Sequence, residues 1–250
     1  MTITPALRAE NIVKELGSGA GLVVAVKGVS IDLVPGELTL LMGPSGSGKT
    51  TLLSILGCIL KPTSGSIKIA GESIEGLSAE ALAKVRRDHI GFIFQSYNLF
   101  PTLNALENVR IALDVRGVKG FAATSRSEEV LREVGLGHRL TNYPRNLSGG
   151  EQQRVAVARA IASSPSIVLA DEPTAALDSE NGHAVMALLA RIAKEQGRSV
   201  LAVTHDPRTL GYADRVVRIE DGKIVGEERR PEGIDSPEIT DLTKRRKLHA

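Results

Sequence analysis

The chain has 250 residues, 42% of them apolar and 24% charged, with a formal net charge of +2. That length and apolar content suffice for one large domain, or a domain with a lobe, and the near-balanced charge makes no electrostatic case for nucleic acid. The single cysteine, Cys58, excludes an internal disulfide and points to a reducing compartment.

In chain order, "MTITPALRAE" lacks the basic-then-apolar pattern of a secretory signal. Gly28 to Met42 reads as two strands around a turn at Pro35-Gly36. "GPSGSGKT", Gly43 to Thr50, follows the strand "ELTLLM" and precedes the apolar helix "TLLSILGCI". It fits G-x-x-x-x-G-K-[ST] in the required context. Its glycines let successive N–H groups face phosphate oxygens, and the helix start adds its dipole. Lys49 is placed for the β- and γ-phosphates and the Thr50 hydroxyl for Mg²⁺. Leu52 to Leu60, the longest apolar run, is about half a membrane span, so a soluble, cytoplasmic chain is expected, reaching a membrane only through a partner.

"GSIKIAG" and "IGFIF" read as further strands. Four of the seven aromatics, Phe92, Phe94, Tyr97 and Phe100, crowd around Gln95; the first two alternate on "IGFIF" and are expected inside. "NALENVRIAL" opens with Asn104 and Glu107 at capping-box spacing, with Leu106, Val109 and Leu113 on one helical face. "LSGGEQQR", Leu147 to Arg154, sets a Ser and two Gly before the helix "EQQRVAVARAIA", a second anion-binding helix start without its own lysine. "SIVLADE" is a buried strand ending in two carboxylates, Asp171 for the Mg²⁺ shell and Glu172 for a water aligned with the γ-phosphate. Val185, Leu188, Leu189 and Ile192 follow helical spacing up to Gly197, "SVLAV" is another buried strand, and "VVRIEDGKIV" is a hairpin turning at Asp221-Gly222. From about Arg229 the chain is charged and aperiodic, closing on "KRRK", read as a solvated tail with contact to anionic lipid as the alternative.

With "LSGGEQQR" beside the phosphate loop, the chain resembles the ABC ATPases over about Ala9 to Gly226. The resemblance implies an α/β phosphate-loop NTPase (RecA-like) core with an antiparallel β-subdomain and an inserted α-helical signature subdomain. The expected boundaries are a domain over 1–228, with core and β-subdomain at about 1–95 and 162–228, a helical subdomain at about 96–161, and a tail over 229–250. It implies ATP and Mg²⁺, with nucleotide contacts from Gly43, Pro44, Ser45, Gly46, Ser47, Gly48, Lys49, Thr50 and Thr51. Gln95 matches the Q-loop glutamine, Asp178 in "AALD" the D-loop, and His205 the switch histidine. Lys49 and His205 would stabilise charge at the γ-phosphate; Thr50, Gln95 and Asp171 would order Mg²⁺ and water; Glu172 would be the base. By the same analogy, a head-to-tail dimer would sandwich two ATP between one phosphate loop and the other copy's Ser148, Gly149 and Gly150.

The family's adenine-stacking aromatic has no counterpart here. The first aromatic is Phe92, and the aligned position is Leu16. Loss of a stacked ring is worth about 1–3 kcal/mol, so weaker or less base-selective nucleotide binding is expected. "FQSYNLFPTLNALENV" is similar to the lipoprotein-release and macrolide-export branch, which also holds glycolipid exporters. There, Tyr97, Leu99 and Phe100 would be apolar anchors for separate integral permease subunits. The alternatives are a cell-division-type partner of a membrane protein or a soluble assembly ATPase; no nucleic acid is expected.

Overall fold

The computed structural model describes residues 4–230. The chain starts with β1 (Leu7–Leu16) and β2 (Val23–Leu33), then β3 (Leu38–Met42) and α1 (Lys49–Leu56). β4 (Ser64–Ile69), the short β5 (Glu72–Ser73), α2 (Ala79–His89) and β6 (Ile90–Ile93) follow. Three helices come next: α3 (Ala105–Val115), α4 (Gly120–Glu133) and α5 (Gly149–Ile161). The remaining elements are β7 (Ile167–Asp171), α6 (Ser179–Gln196), β8 (Ser199–Thr204), β9 (Arg215–Glu220) and β10 (Lys223–Arg229).

Two sheets result. An antiparallel one runs β2-β1-β4-β5; the other runs β10-β9-β3-β8-β7-β6, parallel throughout except for the β9–β10 hairpin. The turn at Pro35-Gly36 therefore joins two sheets, with Gly36 at φ 81°. Successive strand side chains point to opposite faces, which splits the core. Leu41, Ile167, Leu169, Leu201 and Val203 face α1 and the antiparallel sheet. Leu40, Val168, Ala170, Val200 and Ala202 face α6 and the helical segment. Both faces being covered, these strands read as continuous apolar runs. α1 lies between the sheets with Leu52, Leu53, Ile55 and Leu56 at 2% exposure or less; each such side chain contributes about 1.5–3 kcal/mol of burial.

The expected cap at Asn104 forms in full: its side chain accepts from the Glu107 N–H, and the Glu107 carboxylate accepts from the Asn104 N–H. Gly197 ends α6 in the left-handed region, and Asp221 and Gly222 (φ 43° and 77°) turn the β9–β10 hairpin. The expectation for Phe92 and Phe94 holds in part: Ile90 and Ile93 are the buried side chains of that strand, Phe92 packs half-buried against the core around α1, and Phe94 is half-buried and stacks on Phe92 at 5.5 Å. The Phe92 ring rests on Gly57, where a Cβ would come within 1.9 Å of it. Most of the tail, 231–250, and its "KRRK" lie outside the described residues. Among the described residues no helix is long and apolar enough to cross a membrane.

Candidate active site

The expected chemical residues gather at one edge. β3, β8, β7 and β6 are parallel neighbours in that order, and their C-terminal ends lead into the phosphate loop, His205, Asp171-Glu172 and Gln95. Ligand sites of open parallel sheets form at this edge.

The phosphate loop is shaped by backbone demands. Gly46 and Gly48 have φ of 78° and 98°, and a Cβ on Gly48 would meet the Ala25 carbonyl oxygen at 2.4 Å. Gly43 passes so close to β9 that a Cβ would lie 2.0 Å from the Ile219 carbonyl oxygen. Lys49 is 6% exposed and folds back over the loop, its Nζ donating to the carbonyls of Gly43 at 2.8 Å and Pro44 at 2.7 Å. An ammonium has three donors, so one is left for an oxygen held within the curl. Pro44, Ser45 and Thr50 are exposed, Thr51 is half-buried, and the Ser47 hydroxyl is buried with no partner among the described residues.

The Thr50 hydroxyl donates to Asp171 Oδ1 at 3.3 Å, which joins the loop to β7. Burial is the main cause raising the Asp171 carboxyl above its ordinary value, with Glu172 adding to it; the Thr50 hydrogen bond and Lys49 act the other way. Glu172 stands in the left-handed region at φ 44°, a conformation that costs a non-glycine residue roughly 1–2 kcal/mol. Its N–H donates to the Val203 carbonyl at 3.0 Å, and buried Gln153 of α5 donates to the Pro173 carbonyl at 2.8 Å, so both sides of the strained residue are held. The Glu172 carboxylate reaches His205 Nδ1 at 3.2 Å. Glu172, His205, Thr204, Thr174 and Arg208 line a cleft of about 290 Å³. Gln95 is exposed two residues past Ile93, whose register partner on β7 is Ala170.

Among the described residues no group of three or more His, Cys, Asp or Glu could hold a metal. The hydroxyl–carboxylate pair Thr50–Asp171 suits a cation that brings its other oxygens from phosphates and water.

Ser148 to Gly150 form the start of α5. Ser148 accepts from the Glu151 N–H at 3.2 Å, and Glu151 accepts from the Ser148 N–H at 2.8 Å. This second capping box has the S-x-x-E spacing of "SGGE". Arg139 pairs with Glu151 at 2.9 Å, and the backbone bond to Ser148 is the main cause holding that carboxyl below its ordinary range. The Ser148 hydroxyl keeps its proton to donate. Both glycines are crowded from within the chain: a Cβ on Gly149 would lie 3.0 Å from the Tyr97 hydroxyl, and one on Gly150 would lie 2.1 Å from Asn181 Oδ1. Asp178 caps α6 by accepting from the Asn181 N–H, and Asn181 also donates from its side chain to that carboxylate.

Leu16 ends β1 at 40% exposure, opposite Val23 in register, and Leu22 and Val23 are exposed beside it. The patch is aliphatic. Of the three expected anchors after Gln95, Tyr97 and Leu99 are half-buried, the first with its hydroxyl against Gly149 and the second packed against the helical core. Only Phe100 is exposed. Further along, Phe121 is 87% exposed with Val115 and Val118 also out; no motif or periodicity marked them.

The family model described as "ABC transporter" matches residues 26–175. The macrolide export ATP-binding/permease protein MacB of Escherichia coli K12 is 43% identical over 242 residues, covering 97% of this chain and 37% of that protein. MacB of Shigella flexneri matches equally, at 43% over the same length. The chain thus spans 37% of the length of these curated relatives. A solved ATP-binding cassette, dimeric in a post-hydrolysis state and bound to ADP and Pi, superposes with a TM-score of 0.82 at 40% identity, over 90% of this chain and 99% of that one. A component of an ABC transporter complex from Clostridium perfringens superposes at 0.81 with 26% identity, over 98% of this chain and 92% of that one.

Proposed function

We propose, for a chain that belongs to the ABC transporter family as an ATP-binding, RecA-like ATPase, that it dimerises on ATP and drives separate integral membrane permease subunits. Export, or release of a lipid, lipoprotein or peptide, is the direction the MacB likeness favours. In this reading the chain lies in the cytoplasm, peripheral on the inner membrane face, with α3–α5 as the helical signature lobe at about 96–161 and 1–95 with 162–228 as the remainder.

The observation that carries the reading is the convergence of Lys49, Thr50, Asp171, Glu172 and His205 at the ends of adjacent parallel strands. Lys49 holds the γ-phosphate with the donor it keeps free. Thr50, Asp171 and Gln95 would hold Mg²⁺, which neutralises phosphate charge when bound. Glu172 takes the proton of the attacking water, and His205, 3.2 Å from it, orients that carboxylate and faces the γ-phosphate. Ser148, Gly149 and Gly150 contribute a donor hydroxyl and a helix N-terminus to the nucleotide of a second copy, and Asp178, at the start of α6, faces that same interface. Leu16 and Val23 cover the adenine by apolar contact alone.

Glu172→Gln tests this assignment. The variant should lose about 10²–10⁴-fold in kcat and accumulate as an ATP-dependent dimer in sedimentation. Hydrolysis at the parent rate would overturn Glu172 as the base. Co-purification from solubilised membranes identifies the integral partner, and recovery of this chain free of any integral protein would count against the transport role.

A further inference from the structure

We propose that Arg159 is a positioning residue that latches the turn after Gln95 to the signature helix α5, so that a displacement of Gln95 is carried to Ser148–Gly150. The inference rests on the function proposed above. Tyr97 and Asn98 are consecutive left-handed residues, φ 59° and 49°. Asn tolerates that region; Tyr does not adopt it without support.

The support is the Arg159 guanidinium, which donates to both of their carbonyls, at 2.8 Å for Tyr97 and 2.5 Å for Asn98. Burial lowers the guanidinium's proton affinity, as expected for a fork withdrawn from water. Tyr97 also reaches the other end of the helix, its hydroxyl occupying the space that Gly149 leaves open. Gly149 and Arg159 lie ten residues apart, about 15 Å along α5, so one residue of the turn touches the helix near both ends.

The rest of the turn belongs to the same body. Fully buried Asn108 of α3 accepts from the Phe100 N–H at 2.8 Å and donates to the carbonyls of Phe100, Leu103 and Asn104 at 3.2, 2.9 and 3.0 Å. β6, in contrast, is paired to β7 through Ile93. Residues from Tyr97 onward are therefore bonded to the helices, and residues to Ile93 are bonded into the sheet. The joint between them is Phe94-Gln95-Ser96, with Gln95 at its centre.

Arg159→Gln leaves at most one carbonyl partnered and removes the charge. In steady-state ATP hydrolysis it should lower kcat by about ten-fold or more while KM changes less than about two-fold, because the phosphate-loop contacts to the nucleotide stay in place. Arg159→Lys, a point charge without the fork, should fall between. Tyr97→Phe removes only the hydroxyl and leaves folding intact; it should lower kcat several-fold, and the double variant Arg159→Gln with Tyr97→Phe should be no worse than Arg159→Gln alone. An active parent with an unchanged Tyr97→Phe, or with additive effects in the double variant, overturns the latch and leaves the function standing. A parent that does not hydrolyse ATP overturns the function, and the latch with it.

Discussion

Gly150→Ala should destabilise the monomer, whereas Gly149→Ala should not, although the two glycines are adjacent and belong to one motif. A Cβ on Gly150 would lie 2.1 Å from Asn181 Oδ1, 2.5 Å from its Cγ and 2.9 Å from its Cβ. Rotating the Asn181 side chain cannot clear a contact that includes its Cβ, so α5 and α6 must separate. Over-insertion of this kind costs about 1–3 kcal/mol. Asn181 also gives up its side-chain bonds to Asp178, at 2.9 and 3.1 Å, worth about 1 kcal/mol at an exposed helix start. Alanine in place of glycine in a helix returns about 1 kcal/mol. The net is a loss of roughly 1–3 kcal/mol, or a Tm lower by roughly 3–10 °C for a chain of this size. At Gly149 the nearest atoms are the Tyr97 hydroxyl at 3.0 Å and Leu177 Cδ2 at 3.6 Å, both ends of side chains that can swing aside. There the helix-propensity gain offsets the contact and Tm should hold or rise. Urea unfolding followed by circular dichroism reads both, and Asn181→Ala in the Gly150→Ala background should restore part of the loss. Equal stabilities for parent and Gly150→Ala would refute the packing argument, as would equal damage at the two glycines.

Three further outcomes are expected. Burial pushes the Cys58 thiol from 9.0 up to about 11, so at pH 8.5 its thiolate is roughly 100-fold scarcer in the folded chain than in the unfolded one. Because the folded value is the higher, the contribution to stability is complete below pH 9 and lost as pH rises toward 11; iodoacetamide labelling in buffer and in urea checks this, and equal rates refute it. Leu16→Tyr should tighten ATP binding by about ten-fold and sharpen discrimination against GTP, so an unchanged Kd in a fluorescent-nucleotide titration rejects Leu16 as the adenine contact. Phe100→Ala should weaken retention of the chain on membranes holding its partner while ATP hydrolysis in solution stays at the parent level; undiminished retention removes Phe100 from the docking surface.

What could be read in the sequence was whatever physical chemistry writes locally. Gly43 to Thr50, Asp171-Glu172 and His205 each follow a strand, and parallel order alone brings such strand ends together. β1 is not legible for a physical reason: Asn11 at φ 53° and register shifts at three places break the alternation that marks a strand. α2 is hard to read because its apolar stripe is short: only Leu82 of its eleven residues is buried, with Val85 packed beside it, amid a largely charged sequence. Arg159, Asn108 and Gln153 were illegible because their partners are backbone carbonyls, 62, 8 and 20 residues away for the bonds to Tyr97, Phe100 and Pro173, and backbone leaves no residue-type signature. Composition shows that aromatics cluster, not how each one sits, so the contact of the Tyr97 hydroxyl with Gly149 is not legible in the sequence.

The signature segment thus answers to two demands that a motif cannot separate. Ser148 closes a capping box and still keeps a proton to donate; Gly149 makes room for Tyr97, and Gly150 lets α5 meet α6. Each requirement already exists in the monomer. A substitution that abolishes activity here therefore does not establish contact with another copy's nucleotide, because misplacing α5 would have the same effect. The pair of glycines separates the two demands, since only at Gly150 would a Cβ meet atoms that cannot swing aside within the monomer. If Gly149→Ala leaves stability intact and still prevents ATP-dependent dimerisation, its requirement comes from the nucleotide side; a stable variant that dimerises normally would place the whole demand for that glycine inside the chain, on Tyr97.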